Sequence, residues 1–132
     1  MNYSGYTIYC NCEMEEEIME ENCYTPKPQL TDRPLLDIDY AEGLSETFKI
    51  LSNGTRLRIL HAVNRTPNIS VTELAEQLEM KPQAISNQLQ RLDDKGIVRS
   101  SREGNFIRYR VVDLCVTSLL HEGWCLTEDL PK

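Results

Sequence analysis

Residues 71–96, VTELAEQLEMKPQAISNQLQRLDDKG, constrain the fold of this chain more than any other stretch. Val71, Leu74, Ala75 and Leu78 recur at the i, i+3, i+4, i+7 spacing of a helix with one apolar face. Ser70 just before them and Glu73 three residues on form a capping-box start, in which a hydroxyl accepts from an otherwise orphaned helix N–H. Glu79-Met80-Lys81 reads as a turn. Pro82 stands where a second helix would begin, a position that welcomes its fixed φ and does not need its N–H. Beyond it Ile85, Leu89 and Leu92 share one face, and Gln83, Ser86, Asn87 and Gln90 share the other. Two short helices joined in this way predict a helix-turn-helix. An exposed face of amides and a hydroxyl suits the hydrogen-bonding edges of bases, and Gln and Asn match adenine in the major groove.

The flanking sequence extends the pattern. From Tyr40 an apolar face of Ala41, Leu44, Phe48 and Leu51 predicts a helix stopped by Ser52-Asn53-Gly54. Asn53 then caps a helix over 55–64, with Leu57, Leu60 and Val63 inward and Arg56 and Arg58 partly outward. Gly96 closes the second helix of the motif. Residues 97–100 read as a strand, Glu103-Gly104-Asn105 as a turn and 106–111 as the return strand. This hairpin predicts a wing, whose Arg102, Arg108 and Arg110 suit the DNA backbone or minor groove, while Lys81 suits a phosphate beside the recognition helix. Asp113 caps a last helix, to about residue 126. Its Leu114, Leu119, Leu120 and Trp124 offer more apolar surface than one small domain needs, so its expected use is pairing with the same helix of a second subunit. The predicted fold class is mainly α with a small β-hairpin wing: a winged helix-turn-helix, homodimeric through its terminal helices, within 35–130.

Residues 1–34 read as an acidic, cysteine-containing extension, expected to be flexible: an acidic block at 13–21 is followed by Pro26, Pro28 and Pro34. The formal net charge of −7 hides an asymmetry. Residues 1–46 hold eleven acids against two bases, whereas 81–110 hold seven bases against three acids. Phosphate attraction follows the local patch, so the total argues against indiscriminate nucleic-acid coating and fits a specific binder. No apolar run has transmembrane length and no basic-then-apolar leader opens the chain, so a cytoplasmic protein without a membrane role is expected. No nucleophile–base triad, carboxylate dyad or glycine-rich phosphate loop is evident, which argues against an enzyme.

LSNGTRLRIL (51–60), SVTELAEQLEMKPQAISNQLQRLDDKGIV (70–98) and REGNFIRYRVVD (102–113), in this order and spacing, resemble the ArsR/SmtB family of bacterial and archaeal repressors. The resemblance covers about residues 40–126. It implies a winged-helix homodimer that holds an operator of two half-sites, an imperfect palindrome, and releases it when a metal ion, metalloid or other inducer binds. By position it places the family's DNA-reading residues on Gln83, Ser86 and Asn87, the last of these commonly a histidine. A family metal site built on Cys-X-Cys at the start of the first motif helix is absent, since Ser70 and Thr72 stand there. A second family site uses Asp-X-His near the start of the dimer helix and His-X-X-Glu near its end, from opposite subunits. Here the corresponding text is Asp113-X-Cys115 and Cys125-X-X-Glu128, with the gap between the pairs one residue shorter.

The five cysteines, Cys10, Cys12, Cys23, Cys115 and Cys125, are therefore the candidate metal ligands. Thiolate in place of imidazole favours soft ions over zinc: trivalent arsenic or antimony, cadmium, lead, mercury or copper(I). Cys10 and Cys12 need a third ligand, from Cys23 or another subunit, and His121 lies one turn before Cys125. Other readings stand beside this one. Buried cysteines fill cores, so Cys115 and Cys125 also fit a packed dimer interface, and His61, without a ligand-spaced neighbour, fits a structural role. Three functions remain: a repressor released by a thiophilic metal or metalloid, a thiol-redox or reactive-sulfur responsive repressor of the same fold, and a winged-helix protein-interaction module without DNA reading.

Overall fold

The computed structural model describes residues 27–131. The cysteines Cys10, Cys12 and Cys23 and the acidic block at 13–21 lie outside them. The chain divides into two compact units, Met1–Leu44 and Ser45–Lys132. The described part of the first holds a 3-10 turn, Leu30–Asp32, and the first half of helix α1, Ile38–Leu51. Asp37 starts α1 by accepting from the N–H of Tyr40 at 2.8 Å.

The second unit carries α2 (Gly54–Arg65), β1 (Ile69–Ser70), α3 (Val71–Leu78), α4 (Pro82–Asp94), β2 (Val98–Glu103), β3 (Phe106–Val111) and α5 (Leu114–Asp129). Local chemistry sets the boundaries. The side chains of Asn53 and Ser70 accept from the N–H groups of Arg56 and Glu73, and Asp113 accepts from that of Cys115 at 2.7 Å. Gly96, at φ +73°, ends α4: its N–H donates to Asp93 O, and Ile97 N–H to Leu92 O. This pattern consumes two carbonyls that a helix end leaves orphaned. Helix α3 ends the same way, but with Glu79 rather than glycine in the left-handed region (φ 53°). That conformation costs a non-glycine residue about 1 kcal/mol.

The core is a single cluster. Ile59, Leu60 and Val63 of α2, Ile69 of β1, Leu74 of α3, Ile85, Leu89 and Leu92 of α4 and Val98 of β2 are all essentially inaccessible. The two motif helices are thus fixed by their inner faces. Two expectations are corrected. Leu57, read as inward, is 36% exposed, and Ile59 is buried instead: the buried stripe of α2 is rotated toward 59, 60 and 63. The wing, read as a two-stranded hairpin, belongs to a three-stranded antiparallel sheet in the order β1-β3-β2. Its extra strand pairs Ile69 with Tyr109 and Ser70 with Arg108, and two residues are too few to show an alternating pattern in sequence.

Helix α5 buries no residue completely, although Val116 and Leu120 pack on the core. Leu119, Trp124 and Leu126 are exposed, as are Leu44 and Phe48 of α1. An apolar groove of about 520 Å³ runs beside α5, lined by Leu57, His61, Leu119, Leu120 and Trp124. The His61 ring meets Trp124 edge-on at 5.1 Å. Among the described residues no helix is long and apolar enough to cross a membrane.

Tyr109 links the sheet to the core. It is 7% exposed, and burial, then the nearby Asp93 carboxylate, raise its phenol above the ordinary 10.0. A folded-state value above the unfolded one means that stability present below the unfolded value is lost as pH rises through the folded one. Thermal melting from pH 8 to 11 is expected to show a fall that begins above pH 10 and is reduced in Tyr109→Phe.

Candidate nucleic-acid interface

Helix α4 presents its polar face outward because its opposite face is anchored: Ile85, Leu89 and Leu92 are fully buried. Gln83, Asn87 and Gln90 are exposed, and Ser86 is half-buried between them. The amides are ordered by their own contacts. Gln83 Nε2 donates to Asn87 Oδ1 at 3.0 Å, and Gln90 Nε2 to Asp94 Oδ1 at 2.9 Å. The first contact uses the Gln83 amide nitrogen and the Asn87 oxygen, so the Gln83 oxygen and the Asn87 amide nitrogen remain as one acceptor and one donor, the complement of adenine's N6 and N7 edge. Lys81 is exposed at the N-cap of α4, where no side chain caps the first turn. Its charge adds to a helix end that already attracts anions.

Two arginines of α2 hold the motif from beneath, and the sequence reading missed their partners. Arg56 donates through Nε to the carbonyl of Ile50, at the end of α1, and through a terminal nitrogen to Gln88 Oε1 of α4 at 3.0 Å. Arg58 donates to the carbonyl of Leu78 at 3.2 Å, at the C-terminal end of α3, where a cation is favourable. Only the alternation of Arg56 and Arg58 with the apolar Leu57 and Ile59 hinted at this.

On the wing, Arg102 is exposed and stands opposite Ile107, one pair from the Gly104 turn. Arg99 and Arg110 stand opposite one another. Arg108 is differently placed. Its guanidinium donates to Asn68 O at 3.1 Å and meets Glu73 at 3.4 Å and Glu103 at 3.0 Å. The Nε lies close to the Glu103 carboxylate without the alignment of a hydrogen bond, so that contact is one of charge.

The candidate metal ligands within the described residues are both on α5. Cys115 and Cys125 are half-buried, and the Cys125 sulfur lies 3.7 Å from His121 Nε2. Ten residues of helix separate the two thiols by about 15 Å, so one chain cannot bring both to a single ion. Among the described residues no three His, Cys, Asp or Glu side chains gather as a metal site.

A MarR family model matches residues 53–105, which spans α2, the helix-turn-helix and the first wing strand but neither terminal helix. The chain is 36% identical over 95 residues to the HTH-type transcriptional regulator NmtR of Mycobacterium tuberculosis, covering 72% of this chain and 78% of that one. It is 27% identical over 118 residues to the cadmium resistance regulatory protein CadC of Listeria innocua, covering 89% and 98%. Among solved structures, the AntR antimony-specific transcriptional repressor superposes with a TM-score of 0.69 at 50% identity, over 80% of this chain and 96% of that one. The fold and these relatives define a winged helix-turn-helix DNA-binding regulator. The chain belongs to the ArsR/SmtB family of transcriptional repressors.

Proposed function

We propose that this protein is a homodimeric repressor that reads its operator through Gln83, Ser86, Asn87 and Gln90 and lets go when a thiophilic metalloid or metal binds at its cysteines. The observation that carries the reading is the outward polar face of α4, with Gln83 and Asn87 coupled at 3.0 Å over a fully buried inner face. Lys81 and Arg102 supply phosphate contacts, and the protein works in the cytoplasm, where operator DNA is. The exposed apolar residues of α5, with Trp124 52% and Leu126 60% accessible, support a dimer through the terminal helices. Two copies would then present two recognition helices to half-sites about one DNA turn apart.

Trivalent antimony or arsenic is the favoured inducer. The 50% identity to a repressor described as antimony-specific supports it, and so does a donor set rich in thiols and poor in imidazoles. The ligands are drawn from Cys10, Cys12 and Cys23, or from Cys115 of one subunit and Cys125 of the other, because one chain's α5 cannot supply a site alone. The ion need only favour a dimer geometry in which the two α4 helices no longer match successive grooves. The test is ion stoichiometry and DNA release for five variants, each with one cysteine changed to serine, under a non-thiol reductant. At least one variant is expected to lose both. Five variants that respond like the parent would sink the cysteine sensor, and release only on oxidation would favour a thiol-redox switch.

A further inference from the structure

Arg108 is a wing arginine whose surroundings do not suit a phosphate ligand. It lies mid-strand in β3, opposite Ser101 of β2 and Ser70 of β1. Its side chain is 26% accessible, and its guanidinium meets groups on three other segments and one on its own strand. These are the carbonyl of Asn68 before β1, Glu73 in the first turn of α3, Glu103 at the end of β2, and the Phe106 ring at 5.5 Å. Two carboxylates already oppose its single charge, so a phosphate could approach only after they moved away. Arg102 has the opposite character: it is exposed and, among the described residues, makes no salt bridge.

We propose that Arg108 is a positioning residue that fixes the wing to helix α3, so that the phosphate contact of Arg102 and the base contacts of α4 meet DNA in one register. The contacts carry this because those to Asn68 and Glu73 tie the hairpin that also holds Glu103 and Phe106 to the segment before β1 and to α3. Glu73 belongs to the turn of α3 that Ser70 caps, and Ser70 is itself paired to Arg108 in the sheet. Asn68, at φ 64°, also donates its N–H to Tyr109 O, so its carbonyl is held where Arg108 reaches it. Exposed ion pairs are individually weak. Here one guanidinium joins a backbone carbonyl, two carboxylates and an aromatic face, and a planar fork can do this where an ammonium cannot.

The inference rests on the DNA-reading proposal, and two readouts keep the failures apart. Amide hydrogen exchange across residues 99–107 is measured without DNA. The salt dependence of binding is measured on a duplex selected from a random pool by the parent protein. Arg102→Ala is expected to flatten the plot of log affinity against log salt by about one unit and to leave exchange unchanged. Arg108→Ala and Arg108→Lys are expected to keep the parental slope, weaken binding about fivefold and speed exchange in the wing about fivefold. Glu73→Gln alone should speed exchange as well, and should add nothing in an Arg108→Ala background. The proposal is overturned if Arg108→Ala flattens the slope as Arg102→Ala does while exchange stays parental, or if Arg108→Lys behaves as the parent in both readouts. If the parent selects no duplex, the DNA reading fails, and the exchange data still decide whether Arg108 holds the wing.

Discussion

Leu89→Ala is expected to destabilise the domain by about 2–5 kcal/mol, measured as the shift in the urea midpoint at unchanged slope. Leu89 is fully buried and sits between Ile85 and Leu92 on the inner face of α4, against a core built by α2, α3 and β2. Removing three carbons there loses transfer energy and leaves a cavity that neighbours on three other elements cannot close together. Domains of this size are stable by only about 5–15 kcal/mol, so the variant should populate unfolded chain near 37 °C. The same packing that stabilises the fold turns the polar face of α4 outward. A loss below about 1 kcal/mol would mean that α4 is not seated as described.

Gln83→Ala and Asn87→Ala are each expected to cost about 1–3 kcal/mol in specific DNA binding, a loss of about fivefold to more than a hundredfold. Non-specific binding at low salt should be almost unchanged, because it rests on phosphate contacts. The hydrogen bond from Gln83 to Asn87 makes the two substitutions dependent. The double variant should therefore lose less than the sum of the singles. Fluorescence anisotropy with the selected duplex and a scrambled one measures both quantities. Equal losses on the two duplexes would remove these residues from base reading and favour a winged-helix interaction module.

Much of this reading head was legible in the sequence, for identifiable reasons. The caps at Asn53, Ser70 and Asp113 and the glycine at 96 are local chemistry, and each makes the expected backbone contact. The inner face of α4 follows from helical spacing alone. Less local features were hidden. Nothing in the order of residues shows that β1 exists, because its two residues acquire strand character only by pairing with β3. Arg56 reaches Gln88, Arg58 reaches Leu78 and Arg108 reaches Asn68, partners between 20 and 40 residues away. An arginine in sequence is simply a charge; only the fold tells whether it faces a phosphate or a carboxylate. Cys115 and Cys125 were visible as thiols, but ligand spacing along one helix does not bring distant turns together.

Binding of the selected duplex by the parent protein, followed while trivalent antimony is added under a phosphine reductant, tests the central claim most directly. Sequence-specific binding at about 0.15 M salt is expected, and it is expected to be lost as the ion saturates the dimer, with zinc far less effective. Binding that is specific but indifferent to antimony, arsenic and cadmium alike would contradict that claim.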